Sequence, residues 1–424
     1  MGKYHLIGIK GTGMSALAVS LKQLGHEVSG SDVEEHFFTT PILNENNILV
    51  TSFDEKNITA NKTYIISTAF DNKNIEVKKV FLKNYKYYYY HEFLEKFYKG
   101  IKIGVSGVHG KTTTAMLIAS LFADQNISAV IGDGTGIGNK NYKYFIFEAC
   151  EYKNHFHIFN YDYLVINNID YDHPDFFNSL EDVKRSFQIA SDKTKVLVIN
   201  GDDENAKDIK NNNKYTFGMN EANFTSCKIK KQVETGYFLD IIIDNKPYKF
   251  YLPFLGKHMI YNFLASITIY YLTGGKMDNL QDKILKLKLP KRRMEELFYY
   301  DNIIIDDYAH HPTEIKACIN AVKEKYPNKK IVVLFEPHTY TRTLALEEDF
   351  KNSFQGADEV YIAKTFTSKR EKHNPSLEKK VREIFGNAKR FHLGLLSSLK
   401  KYQGSVIIFM GAGNIRKYIS KLIS

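Results

Sequence analysis

Gly107-Val108-His109-Gly110-Lys111-Thr112-Thr113-Thr114 decides how this chain is read. A mostly apolar run, Ile101 to Val105, precedes it and spells a buried strand, and Ala115-Met116-Leu117-Ile118-Ala119 after it spells a helix. Strand, glycine loop and helix make a cradle for phosphate. The glycines let backbone N–H groups close on phosphate oxygens, and the helix N-terminus favours negative charge. In such a cradle Gly107, His109, Gly110 and Thr113 border the nucleotide, Lys111 neutralises the terminal phosphates, and Thr112 offers a hydroxyl to magnesium. The expected ligand is ATP. The spacing departs from the standard Walker form, because Val105 stands where the first glycine belongs, with Gly104 and Gly107 on either side. A plain P-loop NTPase is therefore a poor match. A purely structural turn is a poor match too, since Gly-Lys-Thr-Thr-Thr opening a helix has little packing rationale.

The chain of 424 residues has room for roughly two to four domains. Its longest apolar runs, such as Ser405 to Met410, are far too short to span a bilayer. Met1-Gly2-Lys3-Tyr4 leads straight into a strand, without the apolar core of a secretory signal. Cys150, Cys227 and Cys318 are far apart and form no CxxC pair, which suits a reducing cytosol and argues against a cysteine zinc site. These features predict a cytoplasmic protein with no membrane insertion. The formal net charge of +10 raises the question of nucleic acid, but lysines such as Lys379, Lys380, Lys400 and Lys401 are scattered and form no basic block. A solvated surface with pockets for anionic substrates is the expectation, with no nucleic-acid partner.

Strands and helices alternate almost throughout, which predicts α/β layers with largely parallel sheets. Three blocks emerge: 1–98, 99–291 and 292–424, with Pro290-Lys291-Arg292-Arg293 at the second junction. The first and third are expected to be Rossmann-like, and the second to carry the ATP loop on a mostly parallel sheet. The tyrosine-rich run Tyr85 to Tyr90 reads as a strand with aromatic faces. Residues 223–253 alternate differently and predict a small antiparallel sheet inserted in the central block.

Four further clusters carry chemistry. Gly8-Ile9-Lys10-Gly11-Thr12-Gly13-Met14-Ser15-Ala16 follows the first strand; Gly11, Gly13 and Ala16 fit the dinucleotide fingerprint, with Asp32 at about the expected distance beyond. A diphosphate at this helix start is expected, bordered by Thr12, Met14 and Ser15, though the motif alone does not separate NAD from another nucleotide. Phe147-Glu148-Ala149-Cys150-Glu151 ends an apolar strand, placing Glu148 to help Thr112 hold magnesium. Asn167 to Asp175 ends another with a dense polar cluster around His173, so two strand ends beside a phosphate loop suggest a two-magnesium arrangement. In the third block, Asp306-Asp307-Tyr308-Ala309-His310-His311-Pro312 and Glu336-Pro337-His338-Thr339-Tyr340-Thr341-Arg342 close two strands on the crevice side. Arg342 and His338 are suited to grip a carboxylate. Adjacent histidines on one loop rarely converge on one ion, so His310 and His311 are read as hydrogen-bonding groups.

Six motifs in order, at residues 8–15, 107–114, 168–173, 306–312, 337–343 and 410–415, resemble those of the Mur ligases over essentially the whole chain. The resemblance implies three domains: one for the UDP of a sugar nucleotide, one for ATP and one that brings the amino acid and closes the site. It implies ATP-dependent joining of L-alanine to the lactyl carboxylate of UDP-N-acetylmuramate through an acyl phosphate. By the same resemblance, Thr112 and Glu148 hold one magnesium ion and His173 the second. His258 and Asn262 match the family's adenine-side helix start, and Arg293 and Asp307 its third-domain contacts to ATP. Tyr308, His310, His338 and Arg342 fall on the substrate side. Lys111, His338 and Arg342 are the expected catalytic groups. Met259 and Met294 depart from the family pattern, where Asn and an aromatic are usual.

Three rivals remain at this point. The recycling branch, which attaches a whole peptide, resembles Gly-Thr-Phe-Met-Gly-Gly at the first loop, whereas this chain reads Gly-Thr-Gly-Met-Ser-Ala. An NAD-dependent oxidoreductase leaves the ATP loop and both third-block clusters unexplained. A nucleic-acid-stimulated ATPase has only net charge in its favour.

Overall fold

The computed structural model describes residues 1–367, 371–386, 388–396, 399 and 401–423; Lys400 lies outside them. Three sheets follow one another along the chain. The first has five strands, all parallel, in the order Leu49–Thr51, Glu27–Ser31, Lys3–Ile7, Thr63–Ile66, Tyr87–Tyr89. The tyrosine run is extended only over Tyr87–Tyr89, shorter than its composition predicts. Tyr90 opens the helix Tyr90–Phe97, and the Glu92 carboxylate accepts the Tyr89 N–H at 2.9 Å, stopping the strand with a helix cap.

The central sheet has ten strands. Its order is Lys246–Leu252, Gly236–Ile243, Thr225–Val233, Lys214–Gly218, Thr194–Asn200, Tyr161–Ile166, Ile101–Ser106, Tyr144–Glu148, Ile127–Val130, Gly136–Ile137. The core pairings are parallel. The antiparallel strands after residue 223 are not a separate insert. Thr225–Val233 pairs in parallel with Lys214–Gly218, so the hairpins extend the central sheet itself. The reason is burial: Cys227, Leu239, Ile241 and Phe250 share one apolar core with Ile260, Phe263 and Leu264 of the helix Lys257–Leu272, and a detached sheet would leave that face wet.

The third sheet runs Glu295–Tyr299, Asn302–Asp307, Val406–Met410, Ile331–Phe335, Glu359–Ile362, Lys389–Arg390, parallel except for its first pairing. Its three central strands, Asn302–Asp307, Val406–Met410 and Ile331–Phe335, are buried between apolar cores on both sides, as parallel sheets require.

The first two sheets are welded by small residues. The helix Thr12–Gln23 lies against Gly136–Ile137, where Ser20 Oγ donates to the Ile137 carbonyl at 2.8 Å and the Gly138 N–H donates to Gln23 Oε1 at 2.9 Å. The Tyr98 ring stacks on Phe145 with centroids 3.8 Å apart. One apolar core runs through both, from Leu6 and Leu17 to Phe147 and Leu164. A Cβ at Gly136 would sit 2.0 Å from the Ala16 carbonyl oxygen, a backbone atom that cannot swing aside. Gly136→Ala is therefore expected to push the helix off the hairpin and destabilise the protein by about 1–3 kcal/mol. Thermal denaturation checks this; an unchanged Tm would contradict the close approach.

Candidate active site

The carboxyl ends of the central strands and of the third sheet face one another, the place where α/β sheets bind ligands. The phosphate loop between Ile101–Ser106 and the helix Lys111–Leu121 is held by Asn168, which lies in the motif at 168–173 but whose role the motif does not state. The His109 N–H donates to Asn168 Oδ1 at 2.8 Å, and Asn168 Nδ2 donates to the His109 carbonyl at 3.1 Å. Gly110 is left-handed with φ of 80°, and a Cβ there would lie 2.5 Å from Asn262 Oδ1, so glycine is required twice over. Lys111 folds back over the loop. Its Nζ donates to the carbonyls of Gly107 at 2.5 Å and Val108 at 3.2 Å and to the Glu151 carboxylate at 3.0 Å. Burial pushes the Glu151 carboxyl up, but Lys111 and then His173 override it and bring it down to about 2.

Two adjoining cavities meet at Gly110, Arg293 and Glu314. The larger, about 740 Å³, is lined by His109, Gly110, Thr113, His258, Asn262 and Arg293, with Asp307 at its rim and an apolar wall of Phe254, Leu255 and Met259. His258 is neutral, lowered to about 4 by burial and then by Arg293. Asp307 accepts the backbone N–H groups of Met294 at 2.9 Å and Ala309 at 2.7 Å, fixing the strand end beside Arg293. The smaller cavity, about 210 Å³, is lined by Thr12, Lys111, Thr112, Glu148, Glu151, Asp172, His173, Tyr308, His310 and Arg342. All three sheets contribute to it.

Some expected residues lie behind this lining. Met14 and Ser15 are buried in the first helix, where Ser15 Oγ donates to the Thr12 carbonyl at 2.9 Å. Asp32 accepts the N–H groups of Lys10 and Val33, both at 2.8 Å, and so braces the turn that carries Gly11 and Gly13. His338 stands behind Arg342, its Nδ1 accepting from Arg342 Nη1 at 2.9 Å. The two adjacent histidines diverge: His310 joins the small cavity, while His311 Nδ1 accepts the Thr313 N–H at 3.3 Å at the start of the helix Pro312–Lys325.

For a divalent ion, the donor set of Thr112, Glu148 and His173 fits in one respect that geometry supplies. Among the described residues, His173 Nδ1 is buried with no hydrogen-bond partner. Glu148 accepts the Gly132 N–H, and burial raises its carboxyl. A second group, His109, Asp170 and His311, brings its donor atoms within 4.8 Å of one another.

Three family descriptions cover the chain in order: Mur ligase family catalytic domain over residues 3–102, Mur ligase middle domain over 105–270, and the glutamate ligase domain of Mur ligases over 292–413. The UDP-N-acetylmuramate–L-alanine ligase of Streptococcus suis strain 05ZYH33 is 41% identical over 426 residues, covering 98% of this chain and 96% of its own. That of Streptococcus thermophilus strain CNRZ 1066 is 40% identical over 423 residues, covering 98% and 95%. This chain is a Mur ligase. Two solved structures share its fold. The UDP-N-acetylmuramate–alanine ligase MurC of Thermotoga maritima has a TM-score of 0.82 at 23% identity, covering 100% of this chain and 98% of that one. A murein peptide ligase of Psychrobacter arcticus has a TM-score of 0.73 at 17% identity, covering 100% and 98%.

In this Mur ligase ion pairs cross between the central and third sheets. His109 of the phosphate loop lies 3.5 Å from Asp170 and 3.6 Å from Glu314 of the third domain. Burial disfavours its charge, but Asp170 and Glu314 prevail and raise it to about 9. Asp170 and Glu314 were not singled out by the motifs, because each is unremarkable until the fold brings it to His109. The linkage sign follows. His109 has a usual value of 6.5 and a folded value near 9, so its contribution to stability is full below pH 6.5 and is lost as pH rises through about 9. The Tm difference between the native protein and His109→Ala is therefore expected to be largest near pH 6 and to shrink above pH 9. A difference that stays constant with pH would show that His109 carries no proton into the fold.

Proposed function

We propose that this Mur ligase joins L-alanine to the lactyl carboxylate of UDP-N-acetylmuramate at the expense of ATP. The products are UDP-N-acetylmuramoyl-L-alanine, ADP and phosphate, a cytoplasmic step toward peptidoglycan. The reading is supported by near-full-length likeness to ligases of that name and by one observation: Lys111, Thr112, Glu148, His173, Arg342 and Thr12 line a single small cavity. The larger cavity has the dimensions and apolar wall to take adenosine of ATP, with His258, Asn262, Arg293 and Asp307 around it. Among the described residues no helix is long and apolar enough to cross a membrane.

A carboxylate does not react with an amine, because oxide is too poor a leaving group. A lactyl carboxylate oxygen attacks the γ-phosphorus, ADP leaves, and an acyl phosphate results. The alanine amine then attacks the acyl carbon, and the tetrahedral intermediate expels phosphate. Lys111 supplies a fixed positive charge at the transferring phosphoryl group, and Arg342 holds carboxylate oxygens; both act by charge placed in advance. Thr112, Glu148 and His173 would hold magnesium, which supplies further neutralisation of phosphate charge when bound.

The amine must lose a proton before attack. His338 is poorly arranged for this, since an arginine only donates: Nδ1 accepts from Arg342, and the hydrogen resides on Nε2. His310 has the opposite tautomer. Its Nδ1 lies 3.0 Å from the Tyr308 carbonyl and 3.2 Å from Glu314, both acceptors, so Nδ1 carries the hydrogen and Nε2 keeps a lone pair. Burial lowers its pKa and leaves that lone pair free at neutral pH. His310 therefore takes the proton in this reading.

Phosphate release with UDP-N-acetylmuramate and ATP tests the proposal, with alanine, glycine, serine and a murein tripeptide run in parallel. Alanine should be preferred over glycine by about 10–200-fold, the range one methyl supplies. Lys111→Ala should cut the rate by about 10²–10³-fold or more. Full turnover with the tripeptide and none with alanine would assign the recycling reaction instead, and full activity of Lys111→Ala would remove the nucleotide assignment.

A further inference from the structure

Arg342 was expected to meet a substrate carboxylate, yet its guanidinium already holds one of the protein's own. Nε donates to Asp172 Oδ1 at 2.7 Å and Nη2 donates to Asp172 Oδ2 at 3.2 Å, a bidentate fork. Asp172 follows the central strand Tyr161–Ile166, whereas Arg342 sits in the helix Tyr340–Ala345 of the third domain, so the pair crosses the domain boundary. Both side chains are buried, at 6% and 4% exposure. Removing either partner strands a buried charge, which makes the pair costly to break even where its net contribution is small.

The same carboxylate does a second thing. Asp172 Oδ1 also accepts the His173 N–H at 2.6 Å, and His173 is left-handed at φ of 55°, an uncommon conformation for a residue other than glycine. Oδ1 of Asp172 thus accepts from both the backbone of a candidate metal ligand and Arg342 Nε, while Oδ2 completes the fork. The arginine has five N–H donors. Two go to Asp172 and one to His338, and the remaining two belong to a side chain that lines the small cavity.

We propose that Asp172 is a positioning residue for the ligation: it docks the third domain onto the central one and aims the two spare N–H groups of Arg342 at the substrate carboxylate, while its hold on the His173 backbone ties that docking to the metal-side wall. This rests on the function proposed above for the same cavity. Closure and the shape of the cavity are one event in this arrangement, because no position of Arg342 satisfies Asp172 unless the domains are together.

Asp172→Asn tests it. The amide keeps the volume and an oxygen for the His173 N–H, but carries no charge for Arg342. Steady-state phosphate release should show kcat/KM for the amino acid lowered about 10–100-fold, while ATP affinity, measured by direct binding, stays within about twofold. Small-angle scattering of the ligand-free protein should show a larger radius of gyration than the native chain. Asp172→Glu, which restores the charge, should recover part of the activity and of the compaction. In the Arg342→Gln background, Asp172→Asn should cost little more. Native kcat/KM and an unchanged radius in Asp172→Asn, or full additivity of the two substitutions, would overturn the proposal. If the native protein itself releases no phosphate with UDP-N-acetylmuramate and alanine, it is the function reading that fails, and the scattering comparison still decides the docking.

Discussion

A partly buried ammonium sets the terms of this cleft. Lys111 lies under a loop whose backbone carbonyls accept from it, and its charge is balanced by Glu151, itself nearly inaccessible. An unpaired cation in such a place would cost several kcal/mol. Glu151 in turn lies 3.5 Å from His173, whose neighbour Asp172 holds Arg342. Lys111 is paired with Glu151 and Arg342 with Asp172, and His173 stands between the two pairs where the central sheet meets the third domain. Incoming phosphate and carboxylate groups enter a site where the positive charges are already fixed in place and need no reorganisation when negative charge shifts during the reaction.

The two domain boundaries are held by different physics. The first and central sheets share one apolar core, with glycines letting a helix and a hairpin approach closely and Tyr98 stacked flat on Phe145. Such a contact has no alternative arrangement that keeps its surface dry. The third domain keeps its own two cores, and among the described residues only Tyr171 of the central domain packs against them. What joins it to the centre is largely polar: the Asp172–Arg342 and His109–Glu314 pairs, with Tyr237 Oη donating to Glu324 and Thr313 Oγ1 donating to Asp170. Ion pairs exchange protein partners for water or ligand with far less penalty than an opened apolar core. The boundary with the third domain is thus held mainly by polar contacts, whereas the first domain and the centre share one apolar core.

How much of this was legible beforehand follows from the range of each interaction. The strand Ile101–Ser106 and the helix Lys111–Leu121 stand where the sequence places them, because an apolar run and a glycine loop are local signals. The strand at Tyr87–Tyr89 fell short of its composition, since a cap three residues on competes with β-propensity and wins. The hairpins after residue 223 read as a separate sheet because alternation reports which face is dry but not which neighbour dries it. At the site, the glycine loop and Lys111 were visible as a motif, whereas Asn168, Asp170, Asp172 and Glu314 gained their meaning only from partners far along the chain.

Arg342 shows why motif reading places a residue more reliably than it states what that residue does. Its type and its position at a strand's carboxyl end point correctly to carboxylate chemistry, but they do not say whose carboxylate. A guanidinium with five donors can serve an internal partner and an external one together, provided the internal one takes the edge that leaves the others free. Asp172 takes Nε and one hydrogen of Nη2, and His338 takes one of Nη1. The internal partners remove rotational freedom that substrate would otherwise have to remove, and ordering one long side chain costs about 0.5–1.5 kcal/mol. An arginine held by its own protein before substrate arrives has met that cost in folding, which is the physical sense in which this cavity is prepared for an anion.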